Sequence, residues 1–367
     1  MVSTYPPTEC GIATFAAALS RSLTQHGAIL DIVQVGRTSI DGHDRALTDL
    51  CDETGSTTRA ATSTFARADV VIVQHEYGIF DGLDGASIIP VLEEVDRPII
   101  VVAHTVLERP SNHQRTVLES IVRRADAVVV MTEAGKVRLC REYGADPAQV
   151  SIIPHGAALA ARADVPAVAQ PFVLTWGLLG PGKGIEWMID ALALLRDVRP
   201  EVGYRVAGTT HPKIAAVEGE SYREMLQHRA LRQNVHARVE FDARYRKPSD
   251  LVELICQAEV VVLPYDSPDQ VTSGVLVDAI AAGRPVIATA FPHAVELLSS
   301  GAGITVARKD PSALADALRM VLSSPQLAQS MATEARRLAP SLSWSSVAAQ
   351  YVALGERLLD TRTHGPT

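Results

Sequence analysis

The chain is patterned as short runs of three to six mostly β-branched apolar residues, separated by segments long enough for a helix. In the first half these runs fall at 70–74, 98–103, 127–131 and 151–153. In the second half they fall at 172–176, 204–207, 239–241, 260–263, 285–288 and 304–306. They do not alternate apolar with polar, so they predict central strands of a parallel sheet covered by helices on both faces. Helical segments are expected at 12–26, 114–124, 133–143, 185–198, 222–232, 250–257 and 311–323, with one more beginning after Thr272 or Ser273.

Strand–helix alternation of this kind predicts an α/β class with a doubly wound sheet, and it occurs twice. Between the two series, residues 157–171 are rich in Ala and Pro without a period, and read as a linker. The expected division is a first Rossmann-like domain at 1–160 and a second at 161–343. A closing helix over 344–360 is placed to pack back on the first domain. The opening Met1-Val2-Ser3-Thr4 reads as the end of a short or clipped strand.

Composition narrows the function. Of 367 residues, 47% are hydrophobic and 21% charged, the balance of a globular enzyme. The net charge is −8, nearly all of it in the first half: residues 1–165 hold 14 Lys and Arg against 21 Asp and Glu. An acidic half argues against nucleic acid and against docking on an anionic membrane, both of which want clustered cations. Cys10, Cys51, Cys140 and Cys256 lack any CxxC spacing and read as free thiols. No apolar run is long enough to span a bilayer and no signal-peptide pattern opens the chain, so a cytoplasmic location is expected.

Ligands of open α/β sheets sit beyond the carboxyl ends of the strands, where loops enter helices. Four such places carry unusual residues. In 5–12, Gly11 lets a backbone approach a ligand at a helix start, although no GxGxxG follows. In 177–185, the glycines around Lys183 suit a diphosphate, but Gly184 stands where a P-loop needs Ser or Thr. In 269–278, Thr272 or Ser273 caps a helix whose first amides, at Gly274 and Val275, are unpaired by geometry. Asp278, one turn further in, can accept from ribose hydroxyls or simply complement the helix dipole. Finally, His75, His104 and His155 each follow a β run. A lone histidine there is usually structural, and His104 is the strongest functional candidate. No HExxH or carboxylate cluster accompanies them, so no metal is expected.

Taken together, these segments resemble the retaining glycosyltransferases of family 4, which have the GT-B architecture of two Rossmann-like domains facing a cleft. The likeness covers nearly the whole chain: the Pro-rich Gly11 loop, His104-Thr105-Val106, Ile153-Pro154-His155-Gly156, Lys183-Gly184, 283–288 and Ser343-Trp344. The stretches TWGLLGPGKGIE, AGTTHP, EGESYRE and QVTSGVLVDA are similar to one subgroup of that family. The resemblance implies a catalytic set of His104, Lys183, Gln270 and Asp278. It implies sugar-donor contacts at Gly11, Gly180, Lys183, Gly208, Arg244, Asp269, Gln270, Thr272, Ser273, Gly274, Val275 and Asp278, and acceptor contacts at His75, Glu76, Tyr77 and Asp81. The substrate would be a nucleotide-diphosphate sugar of the GDP-mannose or UDP-glucose type, with a saccharide or small-molecule acceptor and no cofactor or metal.

Two positions depart from the family pattern. Leu178 stands where an arginine is usual, leaving Arg244, Arg246 or Lys247 as substitute cations. Gln270 stands where the first acid of E-x7-E is expected, and can hydrogen-bond a hydroxyl without charge. The alternatives are a GT-B epimerase or phosphorylase, and a degenerate nucleotide-sugar-binding partner protein. An NAD oxidoreductase is disfavoured by the missing glycine fingerprint.

Overall fold

The computed structural model describes residues 1–35, 48–49, 64–159, 170–198 and 200–363. The expected linker lies largely outside the described residues, as does Cys51; Cys10, Cys140 and Cys256 are free. The chain divides into two compact units, Met1–Gly156 with Trp344–Thr367, and Ala157–Ser343. Each is a parallel sheet between layers of helix, and the two together form the GT-B fold.

In unit 1 the strands are β1 (Val2–Ser3), β2 (Val33–Gln34), β3 (Thr48–Asp49), β4 (Val71–His75), β5 (Ile99–Ala103), β6 (Ala127–Val130) and β7 (Val150–Ile152). Their order is β3-β2-β1-β4-β5-β6-β7, so the sheet reverses direction of growth between β1 and β4. Every residue of β5 and β6 is buried, as continuous Val and Ile runs require when helices cover both faces. Helix Trp344–Thr363 packs on helix Gly11–Gln25, and Val347, Ala348, Tyr351 and Leu354 share a core with Phe15, Leu19, Ile100 and Val102. Each fully buried side chain of this size contributes about 1.5–3 kcal/mol relative to exposure.

Unit 2 repeats the plan with β8 (Phe172–Trp176), β9 (Gly203–Ala207), β10 (Val239–Asp242), β11 (Val260–Leu263), β12 (Val286–Thr289) and β13 (Gly303–Val306). The order β10-β9-β8-β11-β12-β13 puts the reversal between β8 and β11. That junction is tied by side chains: Thr175 Oγ1 on β8 donates to Val262 O on β11 (2.7 Å) and accepts from the Tyr204 hydroxyl (3.0 Å).

The structure departs from the sequence reading in several places. The strand expected at 70–74 is shifted one residue to Val71–His75, which draws His75 into the sheet. The helix expected to reach 198 ends at Ala193, where Leu194 N–H turns back to Ala191 O (3.0 Å). Helices Ile88–Glu93, Pro212–Glu218, Pro292–Leu298 and Pro325–Leu338 and the two-residue strands β2 and β3 were not expected.

Candidate active site

In unit 2 the unusual loops all leave the carboxyl ends of β8, β9 and β11, beside the reversal point where an open sheet leaves a crevice. The β8–β9 pairing continues past the strand ends. Leu179 N–H donates to Thr209 O and His211 N–H donates to Leu179 O, both at 2.8 Å. This close approach demands glycine: Gly208 has φ +136°, and a Cβ there would sit 2.0 Å from Gly177 O. At Gly180 a Cβ would meet the movable tip of the Ile214 side chain, Cδ1 at 2.3 Å. Gly184 has φ +66° and would drive a Cβ to within 1.7 Å of Pro264 O, so the loop after β8 lies against the loop after β11.

That contact aims Lys183. Its Nζ stands 4.7 Å from the centroid of the Tyr265 ring, a cation–π arrangement, and Tyr265 in turn stacks on Phe291 (5.3 Å). No carboxylate pairs with Lys183 among the described residues. Desolvation lowers its pKa. A desolvated ammonium without a counter-ion gains when an anion arrives.

Helix Gly274–Ala281 begins next to this loop, Val275 Cγ2 lying 3.8 Å from where a Cβ of Gly177 would be. Ser273, not Thr272, is the cap: its Oγ accepts from Leu276 N–H (3.2 Å), while its own N–H donates to His293 Nδ1 (2.8 Å). Val277 N–H takes Ser273 O, so Gly274 and Val275 N–H are left without an acceptor among the described residues. Asp278 is partly buried, has no hydrogen-bonding partner for its carboxyl among the described residues, and is pushed up to about 7 by desolvation.

Other members of the predicted set are otherwise engaged. The Gln270 amide folds back to donate to Thr272 O, and Gln270 O accepts from His293 N–H. Asp269 O accepts from Val271 N–H (2.7 Å), a local turn. Arg244 and Arg246 both clamp the Asp242 carboxylate, Arg244 at 2.8 and 2.9 Å, which holds that carboxyl well below its usual range. Both guanidinium groups are thus ion-paired, Arg244 with 75% of its side chain still exposed.

In unit 1, His104 and His155 gather around Phe15. His104 and His155 meet the Phe15 ring edge at 4.8 and 5.0 Å, and Trp344 meets it at 5.1 Å. His104 Nε2 is 2.7 Å from Gln74 Oε1, and His155 Nδ1 is 2.7 Å from Gly156 O. Desolvation is the main cause that lowers His104 to about 3 and His155 to about 4, so both rings are neutral at pH 7. Gly11 opens helix Gly11–Gln25 behind Cys10, whose Sγ accepts from Ala13 N–H (3.3 Å); nothing lies within 4 Å of a Cβ added at Gly11.

The expected acceptor residues fare unequally. His75 is wholly buried as the last residue of β4, packed edge-on to Tyr77 (5.2 Å), and offers no atom to solvent. Tyr77 is also buried, its hydroxyl 3.4 Å from that of Tyr143. Glu76 accepts from Thr105 Oγ1, and Asp81 is exposed with its carbonyl taking Ser87 N–H (3.2 Å). Only Glu76 and Asp81 of the four keep accessible surface beyond a trace.

Comparison with known proteins bears on both units. Residues 161–338 match the family described as Glycosyl transferases group 1, and residues 11–161 match Glycosyltransferase Family 4. Two glycosyltransferase family models thus match the chain side by side. Among curated relatives, a D-inositol 3-phosphate glycosyltransferase of Corynebacterium glutamicum is 28% identical over 70% of this chain and 66% of its own length. That of Jonesia denitrificans is 28% identical over 65% and 58%. The matched part thus spans less than two thirds of these relatives. Among solved structures, the sucrose-phosphate synthase of Thermosynechococcus elongatus superposes with a TM-score of 0.79 at 19% identity, covering 98% of both chains. The Anabaena protein HepE, solved with UDP, gives 0.72 at 17% identity, covering 96% of this chain and 98% of its own.

Within the region that matches the group 1 family, Lys183, the free amides of Gly274 and Val275, and Asp278 thus lie around one junction. Sequence reasoning missed Tyr265, which seats Lys183, and His293, which fixes the Ser273 amide. Only the position of Tyr265 just after a buried strand could have signalled it. Among the described residues no group of three or more His, Cys, Asp or Glu could hold a metal ion, and no helix is long and apolar enough to cross a membrane.

Proposed function

We propose that this chain is a retaining glycosyltransferase that moves a hexose from a nucleotide-diphosphate sugar, of the GDP-mannose or UDP-glucose type, to a saccharide or small-molecule acceptor. The observation that carries the reading is the pairing of an uncompensated, desolvated Lys183 with open helix amides at Gly274 and Val275. A diphosphate satisfies both at once: the ammonium supplies a point charge and the amides supply oriented N–H donors in a site poor in water. As the glycosidic bond breaks, negative charge grows on the leaving diphosphate, and these same groups stabilise it more than they stabilise the ground state.

On this reading the group 1 domain holds the sugar donor, with Asp278 accepting from the ribose hydroxyls, and the family 4 domain holds the acceptor near Glu76, Asp81 and His104. His104, neutral and fixed by Gln74, acts as a hydrogen-bonding group toward the transferred hexose. Substitution proceeds on the face from which the diphosphate leaves, and a diphosphate oxygen takes the acceptor proton. The test is a panel of UDP- and GDP-sugars with sugar and polyol acceptors, read by nucleoside diphosphate release and by the anomeric signal of the product. Transfer with the donor's anomeric configuration kept is expected; an inverted product, or interconversion of the sugar donor without acceptor, overturns it. The folded-back Gln270 amide favours a second reading, a protein that binds nucleotide-sugar without turnover, which tight binding and no product across the panel would establish.

A further inference from the structure

We infer that His211 is a second diphosphate-binding residue of the group 1 domain, donating through Nε2–H to the anion that Lys183 holds, in the place left by Leu178. This rests on the nucleotide-diphosphate reading above.

The AGTTHP stretch is brought to the site by the continued pairing of the loops after β8 and β9. Thr209 O and His211 N–H are bonded to the two backbone groups of Leu179, one residue beyond Leu178. The loop is also braced from behind. Thr210 Oγ1 donates to Glu220 (2.7 Å), Arg223 bridges Glu220 (2.8 Å), and Arg223 donates to Gly208 O (2.9 Å). Ile214 fills the space beside Gly180, so the loop bearing Lys183 and the segment bearing His211 form one interlocked surface.

The ring itself is oriented. His211 Nδ1 accepts from Lys213 N–H (3.2 Å), which places the ring proton on Nε2. Nε2 has no partner among the described residues, and the side chain is only partly buried. Lys183 is close enough that its charge, after desolvation and Lys213, helps to depress the His211 pKa. A neutral imidazole carrying its unpartnered proton on Nε2, on a segment bonded to the loop of an uncompensated ammonium, is placed to share one anion with it. Of the other cations suggested by sequence, Arg244 and Arg246 are ion-paired with Asp242, and Lys247 is exposed at the start of helix Pro248–Gln257.

The test is titration of the full chain with UDP, GDP and inorganic pyrophosphate, with uridine and guanosine as controls lacking phosphate. His211→Asn keeps a side-chain oxygen able to cap Lys213 N–H but removes the Nε2–H. It is expected to leave the melting temperature unchanged and to weaken the bound diphosphate roughly tenfold or more, the scale of a hydrogen bond to a charged group. Nucleoside affinity should not move. His211→Gln, longer and still an N–H donor, should recover part of the loss. Wild-type affinity for diphosphate in His211→Asn, or an equal loss for nucleoside and diphosphate, overturns the inference. If Lys183→Ala loses diphosphate binding while His211→Asn does not, His211 alone is misassigned. If Lys183→Ala also binds normally, or the wild type binds none of the probes, the underlying reading falls with it.

Discussion

Asp278 offers the sharpest numerical consequence of the proposed site. Its carboxyl is desolvated on helix Gly274–Ala281 with no donor to it among the described residues, and is raised from an ordinary carboxylate value to about 7. In the folded protein it therefore holds a proton that the unfolded chain has already lost between roughly pH 4 and 7. The penalty is absent below the unfolded pKa, grows as pH rises, and is complete above the folded one. At 1.36 kcal/mol per unit, it amounts to roughly 2 kcal/mol at pH 5 and at most about 4 kcal/mol at pH 8. Asp278→Asn removes the titration and keeps the shape, so the variant should be the more stable protein, and increasingly so with pH. For a unit of this size the gap in melting temperature should widen by about 5–10 °C between pH 5 and pH 8. Thermal unfolding of both proteins at matched pH and ionic strength measures it, and other titrating groups cancel in the difference. A gap that stays constant with pH, or a variant that melts lower at pH 8, would refute the assignment of Asp278 as a desolvated acid without a partner.

Three further outcomes follow from the geometry. Gly208→Ala puts a Cβ 2.0 Å from Gly177 O at φ +136° and should cost unit 2 about 3 kcal/mol or more, seen as a lowered denaturant midpoint. Trp344→Ala removes the ring that packs on Phe15 and His155 and should destabilise unit 1 by about 3–5 kcal/mol in the same measurement. Because desolvation holds His104 at about 3, its charge is lost by pH 5. The pH–rate profile from pH 5 to 8 should then keep its shape in His104→Gln even if the rate falls, whereas a vanished limb would show that His104 titrates there.

The parallel sheets were legible because strands buried on both faces must be continuous apolar runs, and β5, β6 and β11 are. Helix Pro212–Glu218 was not, for a physical reason: it buries no residue, so it carries no periodic signature. β2 and β3, two residues each, are too short to register. Helix Pro325–Leu338 does carry a local signal, in its Ser324 cap and Pro325. Helix Asn112–Arg124 likewise opens on a capping box between Ser111 and Gln114 that places its start earlier than the apolar pattern did.

At the site, Lys183 and the capped helix at Ser273 were readable from Gly and Ser spacing, since phosphate-sized approaches require small residues. Partner choice was not readable. Whether Arg244 faces a ligand or Asp242, and whether His75 ends a strand or follows one, turns on a register of one or two residues. The resolution of a hydropathy pattern is no finer than that. His211 escaped because its relevance depends on the β8–β9 loops pairing beyond the strands, which two glycines permit and no local motif announces.

The most direct test of the account is calorimetric titration of UDP-glucose and GDP-mannose into the wild-type chain and into Lys183→Ala. At least one of the two should bind the wild type, with affinity falling thirtyfold or more in the variant, about 2 kcal/mol of a charge-assisted contact. Equal binding by both proteins, or binding of neither sugar nucleotide to the wild type, would contradict it.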